Sequence, residues 1–224
     1  MAEGSNARRR AAAIAGHTGD ERAARAALRD PAHEVRASAL GALARIGVLA
    51  PFEVSAALGD PAPEVRRRAC DLAGQLGVIE LAPQLTAALG DEVPAVTEAA
   101  CYALGELQGL GEAGVPAGRG RAGTGPDVVT AAVQALAATA TGHAEPLCRE
   151  AAVAALGSLR QRAGLPAVLA ALNDRPAIRR RAVVALAAYE GPEVDAALAK
   201  AAQDVDWQVR QVAEDLLGCR PRTR

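Results

Sequence analysis

Aromatic side chains are almost missing from this 224-residue chain, at 2% of the total. Phe52, Tyr102, Tyr189 and Trp207 are scattered, so no set of rings is available for stacking nucleic-acid bases. Lysine is scarcer still: Lys200 is the only one, and the other basic residues are arginines. With 25 basic and 26 acidic residues the formal charge is −1, which excludes a general attraction to phosphate backbones or anionic membranes. No apolar run approaches the ~20 residues that a bilayer-crossing helix requires. Met1 to Arg10 is polar and basic with no apolar stretch behind it, so a soluble cytoplasmic protein is expected.

Chemistry-bearing motifs are missing too. Cys70, Cys101, Cys148 and Cys219 form no CxxC pair, and His17, His33 and His143 have no Cys, Asp or Glu at ligand spacing. There is no G-x-S-x-G, and the glycines of 109–126 follow no strand, so they do not form a phosphate-cradling loop. The expectation is a non-enzyme with no catalytic, cofactor-binding or metal-binding residue. Cys70 and Cys101 fall where other segments carry Leu40, Val153 and Val183, which makes them core thiols.

What the chain does contain is alanine, leucine and repetition. An apolar residue followed by arginine recurs as Val35-Arg36, Val65-Arg66, Cys148-Arg149, Ile178-Arg179 and Val209-Arg210, with Val96-Thr97 in the same frame. The steps are 30, 31, 52, 30 and 31 residues. A single globular core has no reason to repeat itself in this way, whereas stacked helical hairpins do. Between Pro63 and Leu76 the apolar residues Val65, Ala69, Leu72, Ala73 and Leu76 recur at helical spacing. Pro63 suits a first helical turn and Gly77 a left-handed C-cap. Leu81, Leu85, Ala88 and Leu89 then form a second, shorter stripe. The same grammar predicts helices over 33–46, 52–58, 146–159, 165–172, 176–189, 194–202 and 207–217. A degenerate first helix is expected near 6–15, and Asp127 to Ala140 is expected to be the first helix of an interrupted unit. The 52-residue step carries extra residues in 109–126, with seven glycines and Arg119 and Arg121, and reads as a flexible loop. Residues 1–224 are expected to form one repeat domain, with a polar tail at 220–224.

Asp30-Pro31 with Val35-Arg36, and Asp60-Pro61 with Val65-Arg66, fit the frame helix, D-P-x-x-x-V-R, helix. Weaker copies are Asp91 with Val96, Asn173 with Ile178-Arg179, and Asp204 with Val209-Arg210. This pattern resembles the short HEAT-like repeats of the phycobilisome-lyase type. The resemblance implies an all-α fold: a right-handed α-solenoid of about six to seven stacked helical hairpins. Repeats of that type serve bilin-attaching enzymes, adaptors and other binding proteins, so the resemblance does not by itself choose a function.

Two sets of residues are candidates for a site. Asp30, Asp60, Asp91 and Asp204 with Arg36, Arg66, Arg179 and Arg210 are read as a structural ladder. In it a guanidinium meets the carboxylate of its own turn or that of the adjacent unit. Arg36, Arg66, Arg67, Arg68, Arg149, Arg179, Arg180 and Arg181 are read as a broken basic row on a concave wall that meets acidic groups of a protein or peptide. The expected function is a monomeric protein-interaction scaffold. The alternatives are an accessory or lyase-like subunit acting on a cofactor-bearing protein, and phosphate-backbone binding. Nucleic acid is the less favoured partner because stacking rings and net positive charge are both missing.

Overall fold

The computed structural model describes residues 2–107 and 126–219. The expected loop at 109–126, apart from Pro126, and the expected tail at 220–224 lie outside the described residues. Thirteen α-helices and two short 3-10 turns make up the regular structure, with no strand among the described residues. The chain divides into two compact units, Met1–Ala103 and Leu104–Arg224.

The first unit holds α1 (Ala2–Thr18), α2 (Glu21–Ala27), α3 (His33–Ile46), α4 (Pro51–Leu58), α5 (Pro63–Leu76), α6 (Ala82–Ala88) and most of α7 (Pro94–Glu106). Long helices α1, α3 and α5 pack side by side, and the short helices α2 and α4 pack against α3 and α5. Local chemistry sets the boundaries. Proline occupies the first turn of α4 and α5, where its missing N–H costs nothing. Gly47 and Gly77 end α3 and α5 with φ of 82° and 62°, a left-handed conformation that an L side chain adopts only with strain. Helix α1 is longer than the expected 6–15. Helix α2, capped by the Asp20 carboxylate on the Ala23 N–H, has only alanine among its apolar residues and so shows no Leu or Val stripe in the sequence.

The second unit contains α8 (Pro126–Gly142), α9 (Pro146–Leu159), α10 (Leu165–Ala171), α11 (Pro176–Leu186), α12 (Pro192–Ala201) and α13 (Trp207–Cys219). Here α9, α11 and α13 form the long-helix layer, and α8 packs on α9 and α10. The expected helix 176–189 stops at Leu186. Beyond it Tyr189 turns inward and its hydroxyl donates to the Leu156 carbonyl at 2.8 Å. Burial pushes that phenol up to about 12.

Alanine sets the scale of the packing. A β-carbon on Gly16 of α1 would lie 2.7 Å from the Ala42 Cα of α3, and one on Gly157 of α9 would lie 2.8 Å from the Ala185 Cβ of α11. These glycines let long helices approach to backbone contact, so a thin Ala/Val/Leu core can still be close-packed. Leu40, Cys70, Cys101, Val153 and Val183 occupy one repeat position, and all five are buried. Burial, with smaller contributions from Asp71 and Asp91, pushes the Cys70 thiol up to about 12.

Candidate arginine-lined binding face

The turn that opens each long helix places an arginine one residue beyond the buried apolar residue. Arg36 donates from Nε and Nη2 to the Asp60 carboxylate at 2.8 and 2.7 Å, while its Nη1 donates to the carbonyls of Asp30 and Pro31 at 2.9 and 3.1 Å. Arg66 repeats this forward to Asp91 at 2.7 and 2.9 Å and back to the carbonyls of Asp60 and Pro61. Arg149 reaches Asp174, and Arg179 reaches Asp204, in the same two-pronged way. Of the two partners the spacing left open, each of these guanidiniums takes the carboxylate of the following repeat and the carbonyls of its own turn. Arg8 starts the first series on Asp30 at 2.7 Å. Arg210 ends the second: it holds the Asp204 and Val205 carbonyls and meets no carboxylate among the described residues.

Each ladder carboxylate also caps its own turn. Oδ1 of Asp30, Asp60 and Asp91 accepts the backbone N–H two residues on, from Ala32, Ala62 and Val93, each at 2.9 Å. These bonds fix the carboxyl charge. The guanidinium hydrogen bonds, from Arg8 to Asp30, Arg66 to Asp91, Arg149 to Asp174 and Arg179 to Asp204, hold those acids below the usual carboxylate range. At Asp60 burial pushes upward most strongly, but Arg36 and the Ala62 N–H together bring the net shift down.

Two places interrupt the pattern. Thr97 takes the arginine position and is buried, its hydroxyl near the Leu89 and Asp91 carbonyls at 3.5 and 3.4 Å. His143 takes the aspartate position, and its Nδ1 accepts the Glu145 N–H in place of a carboxylate oxygen. A third place corrects the sequence frame. The ladder position read at Asn173 is held by Asp174, whose carboxylate accepts both prongs of the Arg149 fork.

The basic row therefore separates into two kinds of arginine. Arg36, Arg66, Arg149 and Arg179 are half-buried, each committed by Nε and Nη2 to a carboxylate and by Nη1 to a backbone carbonyl, so their charge is already neutralised. Arg67 is exposed, with no hydrogen bond or ion pair among the described residues. Arg180 donates to Gln208, and Arg181 donates to Glu150 at 3.4 Å with its Nε buried and unpartnered.

Arg68 lines a hollow of about 400 Å³ on the α1–α3–α5 layer, together with Arg9, Glu34, Ser38, Gly41 and Arg45. Arg45 stands outside the row read from the sequence. Arg45 lies seven residues after Ser38, two helical turns along the same face, and that spacing was the available signal. The second unit has a smaller concavity of about 350 Å³, where Arg160 and Arg181 overlook Gly157 and Ala185. A wider cleft of about 620 Å³ between the short helices of the first unit is lined by Phe52, Leu28 and Leu40. Its Arg25 and Arg36 are already paired, with Glu53 and Asp60. Among the described residues no group of three or more His, Cys, Asp or Glu is arranged to hold a metal, and no helix is long and apolar enough to cross a membrane.

Comparison with known proteins agrees with this architecture. The sequence profile of HEAT repeats matches residues 50–137 and 133–218. An engineered protein of known crystal structure superposes with a TM-score of 0.62 at 17% identity, covering 89% of this chain and 95% of that one. A designed armadillo repeat protein in complex with the peptide (KR)4 gives 0.59 at 16% identity, covering 85% and 95%. The complex of CpcE and CpcF of phycocyanin lyase from Nostoc sp. PCC7120 gives 0.58 at 23% identity, covering 88% and 76%. At such identities the likeness is one of fold. The sequence has no significant match among curated proteins.

Proposed function

The chain belongs to the HEAT-repeat family, and from that premise we propose that it is a non-catalytic, cytoplasmic, monomeric module that binds an acidic segment of a partner protein on its long helices. The observation that carries this reading is the division among the arginines. One per repeat is locked into the ladder, while Arg9, Arg45, Arg67 and Arg68 on the same layer form no ion pair among the described residues. Like charges held close together without partners are unfavourable in the free protein and become favourable when an anion arrives. The small residues between them, Ala13, Ala37 and Gly41, allow a backbone to approach closely. A designed protein of similar fold holds the basic peptide (KR)4. Here the unpaired side chains are cationic, so the matching segment carries Asp and Glu.

Affinity capture from the source cell extract tests this reading. The intact chain is compared with a variant carrying Arg9→Glu, Arg45→Glu, Arg67→Glu and Arg68→Glu. The expected result is loss of the captured partners with an unchanged melting curve. The same partners captured undiminished would show the cations to be solvated surface.

A further inference from the structure

We propose that the hollow on the α1–α3–α5 layer is a seat for a phosphorylated side chain, phosphoserine or phosphothreonine, carried on the acidic segment that this layer binds. The proposal rests on the reading above and narrows it to one chemistry.

Three guanidiniums, those of Arg9, Arg45 and Arg68, line this one hollow, and none makes a hydrogen bond or ion pair among the described residues. Two of them sit on places cleared for them. Nη2 of Arg68 lies 2.9 Å from where a β-carbon on Gly41 would be, and Nη1 of Arg45 lies 3.0 Å from the corresponding point on Gly16. Each arginine thus lies back across a glycine of the preceding long helix, where any side chain would displace it. A glycine inside a helix costs roughly 0.5–1 kcal/mol against alanine. Close packing of α1 on α3 accounts for Gly16 without reference to Arg45. At Gly41 the three nearest atoms to the missing β-carbon all belong to the Arg68 guanidinium. Gly41 thus leaves room for the Arg68 guanidinium to lie over the hollow.

Charge selects the occupant. Glu34 is the only carboxylate lining the hollow among the described residues, so the three guanidiniums exceed it there by two positive charges. A phosphomonoester carries about −1.5 to −2 at neutral pH, which matches that excess, whereas an Asp or Glu side chain carries half as much. Guanidiniums also suit phosphate oxygens geometrically, because each offers paired donors. Ser38, with no hydrogen bond among the described residues, adds a hydroxyl donor on the floor. Every residue lining the hollow is exposed or half-buried, so a free small phosphate would gain little enclosure. A phosphate tethered to a longer segment gains the contacts on either side. A nucleic-acid backbone would want cations in series and rings for its bases, and this hollow has one cluster of cations and no ring in its lining.

The test uses fluorescence anisotropy with one labelled Asp-rich peptide in three forms, with phosphoserine, serine or glutamate at the centre, and the full-length chain at low ionic strength. The phosphoserine form is expected to bind about tenfold tighter than either of the others. That preference is expected to disappear in Arg45→Gln with Arg68→Gln, and to shrink in Gly41→Ala and Ser38→Ala. Circular dichroism melting of each variant shows that the fold is kept. Inorganic phosphate is expected to compete weakly with the phosphopeptide. Equal binding of the three peptides overturns the phosphate seat and leaves the acidic-segment reading in place. Binding by none of them overturns both. Short duplex DNA displacing the phosphopeptide at equal concentration overturns the proposal in favour of a backbone site.

Discussion

Arg36 and Asp60 meet through two parallel hydrogen bonds across 24 residues of sequence, while the third nitrogen of the same guanidinium holds the carbonyls of the turn before it. One side chain therefore fixes the start of its own helix and the distance to the next repeat. The geometry recurs at Arg66, Arg149 and Arg179 with bond lengths that differ by a few tenths of an ångström.

The fork predicts that charge alone does not suffice. Arg66→Lys keeps the charge but cannot bridge Asp91 and the Asp60 carbonyl at once, so it is expected to destabilise the chain by about 1–2 kcal/mol. Arg67→Lys, one residue on and exposed, is expected to change stability by less than about 0.5 kcal/mol. Urea unfolding of the two variants checks the contrast. Equal midpoints would remove the ladder from any account of stability.

Acid should weaken the same bonds. Asp30, Asp60, Asp91, Asp174 and Asp204 all titrate below the ordinary carboxylate range in the folded chain. A depressed folded pKa means that the unfolded chain binds protons first as pH falls. The stability from these acids is therefore fully present above the unfolded value of about 3.9 and is lost as pH drops through the lower folded values. Melting temperature is expected to be flat with respect to these groups from neutral pH to mild acidity, then to fall steeply. Asp204→Asn is expected to make that acid limb shallower, as followed by circular dichroism.

Two residues near the end of α9 carry opposite expectations. Gly157→Ala would press a methyl group to 2.8 Å from the Ala185 Cβ, so α9 and α11 must part, at a cost of about 1–3 kcal/mol. Arg160 has φ of 55° at the position where α3 and α5 carry glycine, so Arg160→Gly is expected to stabilise by about 0.5–1 kcal/mol. Thermal melts of the two single variants should move in opposite directions.

Much of this architecture could be read from the chain because repeats announce themselves many times over. Val35, Val65, Ile178 and Val209 carry the same period, and the helix boundaries around Pro63, Gly77 and Pro146 follow from local backbone chemistry alone. Helix α2 escaped because its apolar residues are all alanine, with no Leu or Val to mark a stripe. The choice between Asn173 and Asp174 needed geometry, since one residue's difference in turn length leaves the spacing of the helices unchanged. The arginines posed a harder problem. In sequence Arg66, Arg67 and Arg68 look alike, but a helix sends successive side chains in different directions, and only one of the three faces the next repeat's acid. Arg45 was overlooked because it has no basic neighbour in sequence, and its companions come from other helices.

Thr97 has a consequence for how the molecule comes apart. No guanidinium leaves that position, so Asp91 is the last acid tied in the first series, and the second series begins afresh at Arg149. A melting front travelling inward from either terminus must break one ionic clasp per repeat until it reaches Thr97, whose side chain forms none. Heat should therefore find a natural seam here, and the segments on either side of it should lose their amide protection at different temperatures rather than together.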